Sequence, residues 1–309
     1  MSQSDTVNIS VDPVSLGIFR SALTAIAEEM GAVLTRSAYS PNIKERRDFS
    51  CALFDAEGRL IAQAAHIPVH LGSMPDSVAA ALESFDAFAP GDVVVLNDPF
   101  LGGTHLPDIT IISPIFIETA DGGSRLEGFA ANRAHHADVG GMSAGSMPVA
   151  TEIYQEGLII PPIKLWEAGR VNSAALTLLL RNVRTPDERR GDLAAQVAAN
   201  RTAARRLQEL VDRYGMPAVQ VHEEALLAYA ERITRATIER IPDGVYSFTD
   251  YLDDDGVSDE PLAIKATVTV SGSEMMVDFS GSAPEAAGSI NAVASVAKSA
   301  TYYVVRCLM

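Results

Sequence analysis

Two short stretches of this chain carry side chains able to do chemistry together. Asn97-Asp98-Pro99-Phe100-Leu101-Gly102-Gly103-Thr104-His105-Leu106-Pro107-Asp108 holds two carboxylates and an imidazole in one turn-rich loop. Asn132-Arg133-Ala134-His135-His136-Ala137-Asp138-Val139-Gly140-Gly141 adds two histidines and another carboxylate, so three of the six histidines fall in these two stretches. Each follows a run that reads as a β-strand, and oxygen and imidazole ligands gathered at strand ends are what a divalent metal centre requires. His105 and Asp108 are three residues apart, with Gly102-Gly103 to let the backbone approach an ion and Pro107 to stiffen the frame. The plain alternative is an N-capping Asp98 beside a surface His105; their clustering favours ligands. His135 and His136 are neighbours, and in an extended segment neighbours point to opposite faces. One of the two is therefore expected at the metal, leaving the other to orient a ligand, bind substrate or carry protons. Arg133 beside them suits a carboxylate or oxyanion.

Weaker signals surround this pair of loops. His66 and His70 bracket Ile67-Pro68-Val69; His66 reads as a core residue. His70 precedes a helix N-terminus, which disfavours the imidazolium and suits a neutral base or donor. Glu45 sits in the charge run Lys44-Glu45-Arg46-Arg47-Asp48, and His222 in a polar helix reads as surface. Gly141-Met142-Ser143-Ala144-Gly145 has the spacing of a nucleophile elbow, but a glycine-rich loop precedes it and Pro148 follows, where a strand and a helix are needed. The sequence contains neither a Walker phosphate loop nor a dinucleotide-binding glycine fingerprint.

The elements that must position these residues are legible as patterns. Asp12 and Pro13 open a helix over about 13–36, with Leu16, Phe19, Leu23, Ile26, Met30 and Val33 along one face. A hairpin turns at Asp55-Ala56-Glu57-Gly58, and a second helix runs from Ser73 to about Phe88. Val93–Leu96, Ile109–Ile112 and Leu126–Ala131 read as strands. A helical stretch follows over 170–238, then a β-meander of Val245–Tyr251, Ala263–Val270 and Met275–Phe279, then a helix from about Ser295 that is still running at Met309. The expected class is mixed α+β: a loose leader at 1–11, a metal-site region at 12–169, a helical region at 170–238, and a meander with an unfinished helix at 239–309.

Composition narrows the function. The chain has 309 residues, enough for a substantial core, with 47% hydrophobic and 21% charged residues, as in ordinary soluble proteins. A formal charge of −16 opposes phosphate backbones, which argues against a nucleic-acid partner. Cys51 and Cys307 are the only cysteines, no signal-peptide pattern opens the chain, and no uncharged apolar run reaches membrane-spanning length. These features read as a cytoplasmic protein without a membrane association.

The longer motifs resemble the hydantoinase B family, which includes the C-terminal half of 5-oxoprolinase and subunits of acetone and acetophenone carboxylases. The resemblance rests on Asn42-Ile43-Lys44-Glu45-Arg46-Arg47-Asp48-Phe49-Ser50, His66-Ile67-Pro68-Val69-His70-Leu71-Gly72-Ser73-Met74, the two loops above, and Glu156-Gly157-Leu158-Ile159-Ile160-Pro161-Pro162. Gly191-Asp192-Leu193-Ala194-Ala195-Gln196, Asp278-Phe279-Ser280-Gly281 and Gly288-Ser289-Ile290-Asn291 extend it over nearly the whole chain from Asp12. Family members continue past the equivalent of Met309, so the resemblance implies that this is an N-terminal portion. It implies a hetero-oligomer in which an A-type subunit binds ATP and phosphorylates a substrate oxygen, while the B-type chain holds a divalent metal, Mn, Zn or Fe. Carried onto these residues, the ligands are Asp98, His105, Asp108 and His135 or His136, with Glu45 as a fifth. The working assignment places His135 at the metal, His70, His136 and Asp138 in catalysis, and Asn97 and Arg133 toward substrate. The expected activity is ATP-dependent ring opening of a hydantoin, N-methylhydantoin or 5-oxoproline. The alternatives are an ATP-dependent ketone carboxylase and a silent scaffold for the ATPase.

Overall fold

The computed structural model describes residues 11–119 and 122–309. The leader expected at 1–11 lies, apart from its last residue, outside the described residues. Helix α1 (Pro13–Ser37) begins as its sequence dictates, with the Asp12 carboxylate accepting from the Val14 and Ser15 amides and Ser15 returning a bond to the Asp12 backbone. Phe19, Leu23, Ile26, Met30 and Leu34 form its buried face. A short α2 (Pro41–Lys44) leads to the hairpin β1 (Phe49–Asp55) and β2 (Leu60–Ala65). Then come α3 (Met74–Ser84), β3 (Val93–Leu96), β4 (Asp108–Glu118), β5 (Ser124–His135), α4 (Ile153–Glu156), β6 (Ile163–Glu167) and β7 (Arg170–Val171). Three helices, α5 (Ser173–Arg181), α6 (Pro186–Tyr214) and α7 (Met216–Ile238), precede β8 (Gly244–Leu252), β9 (Leu262–Ser271), β10 (Glu274–Asp278) and α8 (Ala294–Cys307).

The strands form a seven-stranded antiparallel sheet in the order β2-β1-β5-β4-β3-β6-β7 and a three-stranded one in the order β10-β9-β8. Alternation along β1 and β5 sends side chains to two covered faces. On one, Phe49, Cys51, Leu53, Ala130 and Ala134 pack under α1, α6 and α7. On the other, Ala52, Phe54, Phe129 and Ala131 pack against Met74, Val78 and Ala81 of α3. Each fully buried Leu or Phe of this kind contributes about 1.5–3 kcal/mol. No helix among the described residues is long and apolar enough to cross a membrane.

The mixed α+β class and the meander agree with the sequence reading, and several details differ. The second and third expected strands are parts of one long hairpin, paired from Asp108↔His135 to Glu118↔Ser124. Asn132 to His135 are therefore strand residues rather than loop. Pairing across the ladder extended both strands beyond what their own residues signal. His222 is buried against α1, its ring stacked on Phe19 with centroids 3.9 Å apart, because α7 turns that flank inward. His66, expected in the core, is exposed beyond the last residue of β2, its ring edge-on to Phe49.

One buried acid makes α7 sensitive to pH. Burial, with Glu127 and Asp55 nearby, pushes Glu223 up to about 8. Between the ordinary glutamate value and about 8 the folded chain holds a proton that the unfolded chain has released, so stability falls as pH rises through that window. Glu223→Gln is expected to raise stability by on the order of 1–2 kcal/mol at pH 8 and by almost nothing near pH 4.5. Urea denaturation at the two pH values checks this; an equal effect at both would contradict it.

Candidate metal centre

Asp108 is the first residue of β4 and pairs directly with His135, the last residue of β5, so both side chains leave the sheet on the α3 face. The loop before β4 brings His105 over them. The His105 Nε2–Asp108 Oδ1 distance is 2.9 Å, and His135 Nδ1 lies 3.3 Å from the same oxygen. The candidate ligand atoms of His105, Asp108 and His135 all lie within 4.8 Å of one another. Bonds of about 2.0–2.2 Å at tetrahedral or octahedral angles separate ligand atoms by about 2.9–3.5 Å, so this spacing suits one small divalent ion. Asp108 is only 2% exposed, whereas the His105 side chain is 40% exposed, which leaves one side of the group open.

The other oxygen of Asp108 is held from below. Thr104 Oγ1 donates to Oδ2 at 2.8 Å, and the Nε2 of buried His70 lies 3.4 Å from it. His70 Nδ1 is 2.9 Å from Ser50 Oγ on β1. Burial opposes the Asp108 charge, yet hydrogen bonds from His105, His135 and His70 hold its carboxyl well below the usual range. Burial also opposes charge on His105, and the Asp108 hydrogen bond and charge outweigh it, so the His105 imidazole is raised. The donor set, two imidazoles and a carboxylate without thiolate, fits Mn, Fe or Zn.

The remaining sequence-expected residues do other work. Asp98 caps the turn Pro99–Leu101 by accepting from the Phe100 amide, and Glu45 is exposed at the end of α2; neither belongs to the three-residue group. Asn97 is fully buried and staples the loop: its Nδ2 donates to the Leu106 and Leu158 carbonyls and its Oδ1 accepts from the Ile160 amide. Arg133 is likewise fully buried, donating to Thr110, Ser73, Ser77 and the Gly102 carbonyl. Both were expected at the substrate; their polar groups instead hold the frame. Burial pulls Arg133 down to about 10, so it stays a cation under Asp108. His136 turns to the α6 face, where its Nε2 is 2.9 Å from Gln196 Oε1. Asp138 accepts from Gly140 and from the Arg184 side chain and backbone. The structure thus brings His70 and His135 to Asp108 and separates His136 and Asp138 from it. Gly103 serves the loop rather than an ion, since a Cβ there would lie 2.4 Å from the Asn97 carbonyl oxygen.

Sequence reading missed Thr104, Ser50, Asp48 and Glu156. The Asp48 carbonyl accepts from the His135 amide, and the Asp48 and Glu156 charges both act on His105. Thr104, inside the His105 loop, was the one recognisable signal; the others arrive only through strand pairing and the packing of α4.

Comparison with known proteins places these residues in a lineage. The family model for hydantoinase B/oxoprolinase matches residues 12–309. An uncharacterised Methanocaldococcus jannaschii protein is 38% identical across 97% of this chain, and 5-oxoprolinase 1 of Arabidopsis thaliana is 38% identical across 96%. The crystal structure of ATP-dependent caprolactamase from Pseudomonas jessenii superposes with a TM-score of 0.88 and 35% identity over 95% of this chain. The chain spans 52% of the first relative, 25% of the second and 50% of the caprolactamase chain.

Metal content separates the ligand group from its neighbours. Asp108→Asn and His135→Ala are expected to abolish stoichiometric Mn or Zn binding, and Thr104→Val to weaken it about 10–100-fold. Asp98→Asn and Glu45→Gln should bind as the parent does. Calorimetric titration with elemental analysis reads all five, and loss in the last two with retention in the first two would reverse the assignment.

Proposed function

Because the chain belongs to the hydantoinase B/oxoprolinase family, we propose that it is the metal-site subunit of an ATP-dependent cyclic amide hydrolase. It opens a hydantoin, N-methylhydantoin or 5-oxoproline-type ring together with a hydantoinase A-like subunit that binds ATP. One observation carries this reading: His105, Asp108 and His135 converge at the ends of a hairpin with Asp108 buried and His105 open to solvent. The likeness to an ATP-dependent caprolactamase supports the amide class over others.

His105, Asp108 and His135 would hold a divalent ion, which when bound would supply Lewis acidity toward a carbonyl oxygen and a water. The chain's own residues supply the rest. His70 and Thr104 fix the Asp108 carboxylate in one rotamer, and the Arg133 cation beneath it favours its charged form. Glu156 is half-buried at the same mouth, raised by burial and acting on His105, and it is the group we assign to exchange a proton with the ring nitrogen. His70 therefore positions rather than transfers, since nothing of it reaches the open side. Phe100 and Leu101 are exposed in the segment leading to His105, and Tyr154 is exposed two residues before Glu156; we assign these apolar side chains to the carbon part of a ring.

The test uses the complete complex with its ATPase partner and a panel of hydantoin, 5-oxoproline and caprolactam. ATP-dependent ring opening is expected, lowered on the order of 100-fold by His105→Ala. Wild-type turnover in that variant, or incorporation of labelled bicarbonate in place of hydrolysis, overturns the reading.

A further inference from the structure

On the opposite face of the same sheet end, α1 and the segment after β2 border an open pocket of about 270 Å³. Its lining includes Glu28, Gly31, Thr35, Arg36, Arg47 and His66. That space is many times the roughly 10–15 Å³ that one water requires by the same measure, and it has room for an oxyanion carrying a small organic group. Three features mark it as built for an anion. First, the exposed Arg36 and Arg47 both line this pocket and their guanidiniums make no hydrogen bond or ion pair among the described residues, in a protein whose formal charge is −16. Glu28 is the one carboxylate in the lining, and it forms no ion pair with either.

Second, the backbone is bent to put Arg47 there. Arg47 has φ 54°, one of three non-glycine residues with positive φ among the described residues, a conformation that an L residue rarely adopts. The bend is tied by the Asp48 amide to the Asn42 carbonyl at 3.0 Å and the Phe49 amide to the Arg47 carbonyl at 2.9 Å. It divides consecutive charges between two sites: Asp48 acts on His105 of the candidate metal centre, while Arg47 lines the cavity. Third, His66 is seated edge-on to Phe49, with ring centroids 4.8 Å apart. Gly31 lies beneath the pair, where a Cβ would crowd the Phe49 ring at 3.2 Å and come into ordinary contact with His66 Nε2 at 3.6 Å. Desolvation and the Arg47 charge both lower the His66 imidazole, so a bound anion would reverse the second effect.

We propose that this cavity is a binding subsite for a phosphate-type oxyanion, held by Arg36, Arg47 and His66. Arg36 of α1, Arg47 of the turn before β1 and His66 after β2 line the pocket from three segments. A tetrahedral dianion offers oxygens in all three directions, whereas a planar carboxylate satisfies one fork and leaves the others unmet. The shared chemistry has two sources, free inorganic phosphate and a phosphate ester.

The test titrates the protein, in complex with its ATPase partner where that is required for solubility, with inorganic phosphate, phenyl phosphate and acetate by calorimetry. The His66 imidazole is followed by NMR. At least tenfold weaker phosphate binding is expected in Arg47→Gln, loss in the Arg36→Gln/Arg47→Gln double variant, and substantial retention in Arg47→Lys. The His66 midpoint should rise by about one pH unit on saturation, the counterpart of a tenfold coupling. Tighter phenyl phosphate binding identifies an ester as the ligand, and equal or weaker binding identifies the free ion. His105→Ala should bind phosphate unchanged, so failure here is separable from failure of the metal assignment. Phosphate binding indifferent to both arginines, an unmoved His66, or equal affinity for acetate overturns the proposal.

Discussion

A carboxylate in a nearly dry position is the constraint around which this fold is arranged. Removing the Asp108 charge from water costs several kcal/mol unless donors surround it. Thr104, His105 and His135 provide them on two sides, and His70 provides one from below. They arrive from three elements: Thr104 and His105 from one loop, His135 from a strand end, and His70 from a tight turn anchored to β1 through Ser50. Arg133 adds a fixed positive charge within the same layer, itself held by Ser73 and Ser77 of the α3 segment and by the Gly102 carbonyl. The polar layer is thus closed from all sides except the one where His105 meets solvent. An ion that binds there meets ligands already oriented, and orientation settled before binding is what raises affinity for a given donor set.

That arrangement explains which parts of the site the sequence revealed. His105 and Asp108 were legible because both lie in one turn, where spacing alone sets their separation. At His135-His136 the strand period alone sends the two rings to opposite faces; which face holds the Asp108 carboxylate depends on the pairing of β4 with β5 and is invisible locally. Asn97 and Arg133 misled for a related reason. A polar side chain beside candidate ligands looks available for substrate, and only the packed structure shows its donors engaged by the Leu106 and Gly102 carbonyls.

The helices were readable wherever one face met a core. The α1 stripe gave its boundaries to within a residue because capping and periodicity agree. His222 was misplaced because a polar-looking helix buries a flank against Phe19, a contact about 200 positions away in sequence. The cavity at Arg47 lay further out of reach. Its residues come from α1, the turn before β1 and the end of β2, and the Lys44–Asp48 run reads locally as a solvated charge cluster. Local pattern reports the face of an element; convergence of three elements is a property of the assembled sheet.

The direct pairing of Asp108 with His135 carries a consequence for assembly. A one-residue slip of β5 would set His136 opposite Asp108, so the tandem imidazoles offer a nitrogen in either alignment and a captured ion would accept both. Discrimination falls instead to Arg133, which in the slipped alignment would swing from its serine and carbonyl partners into the alanine- and leucine-lined layer beneath α1 and α6. An unmatched guanidinium there is several kcal/mol uphill. The cation that never touches the ion thus acts as the hairpin's proofreader.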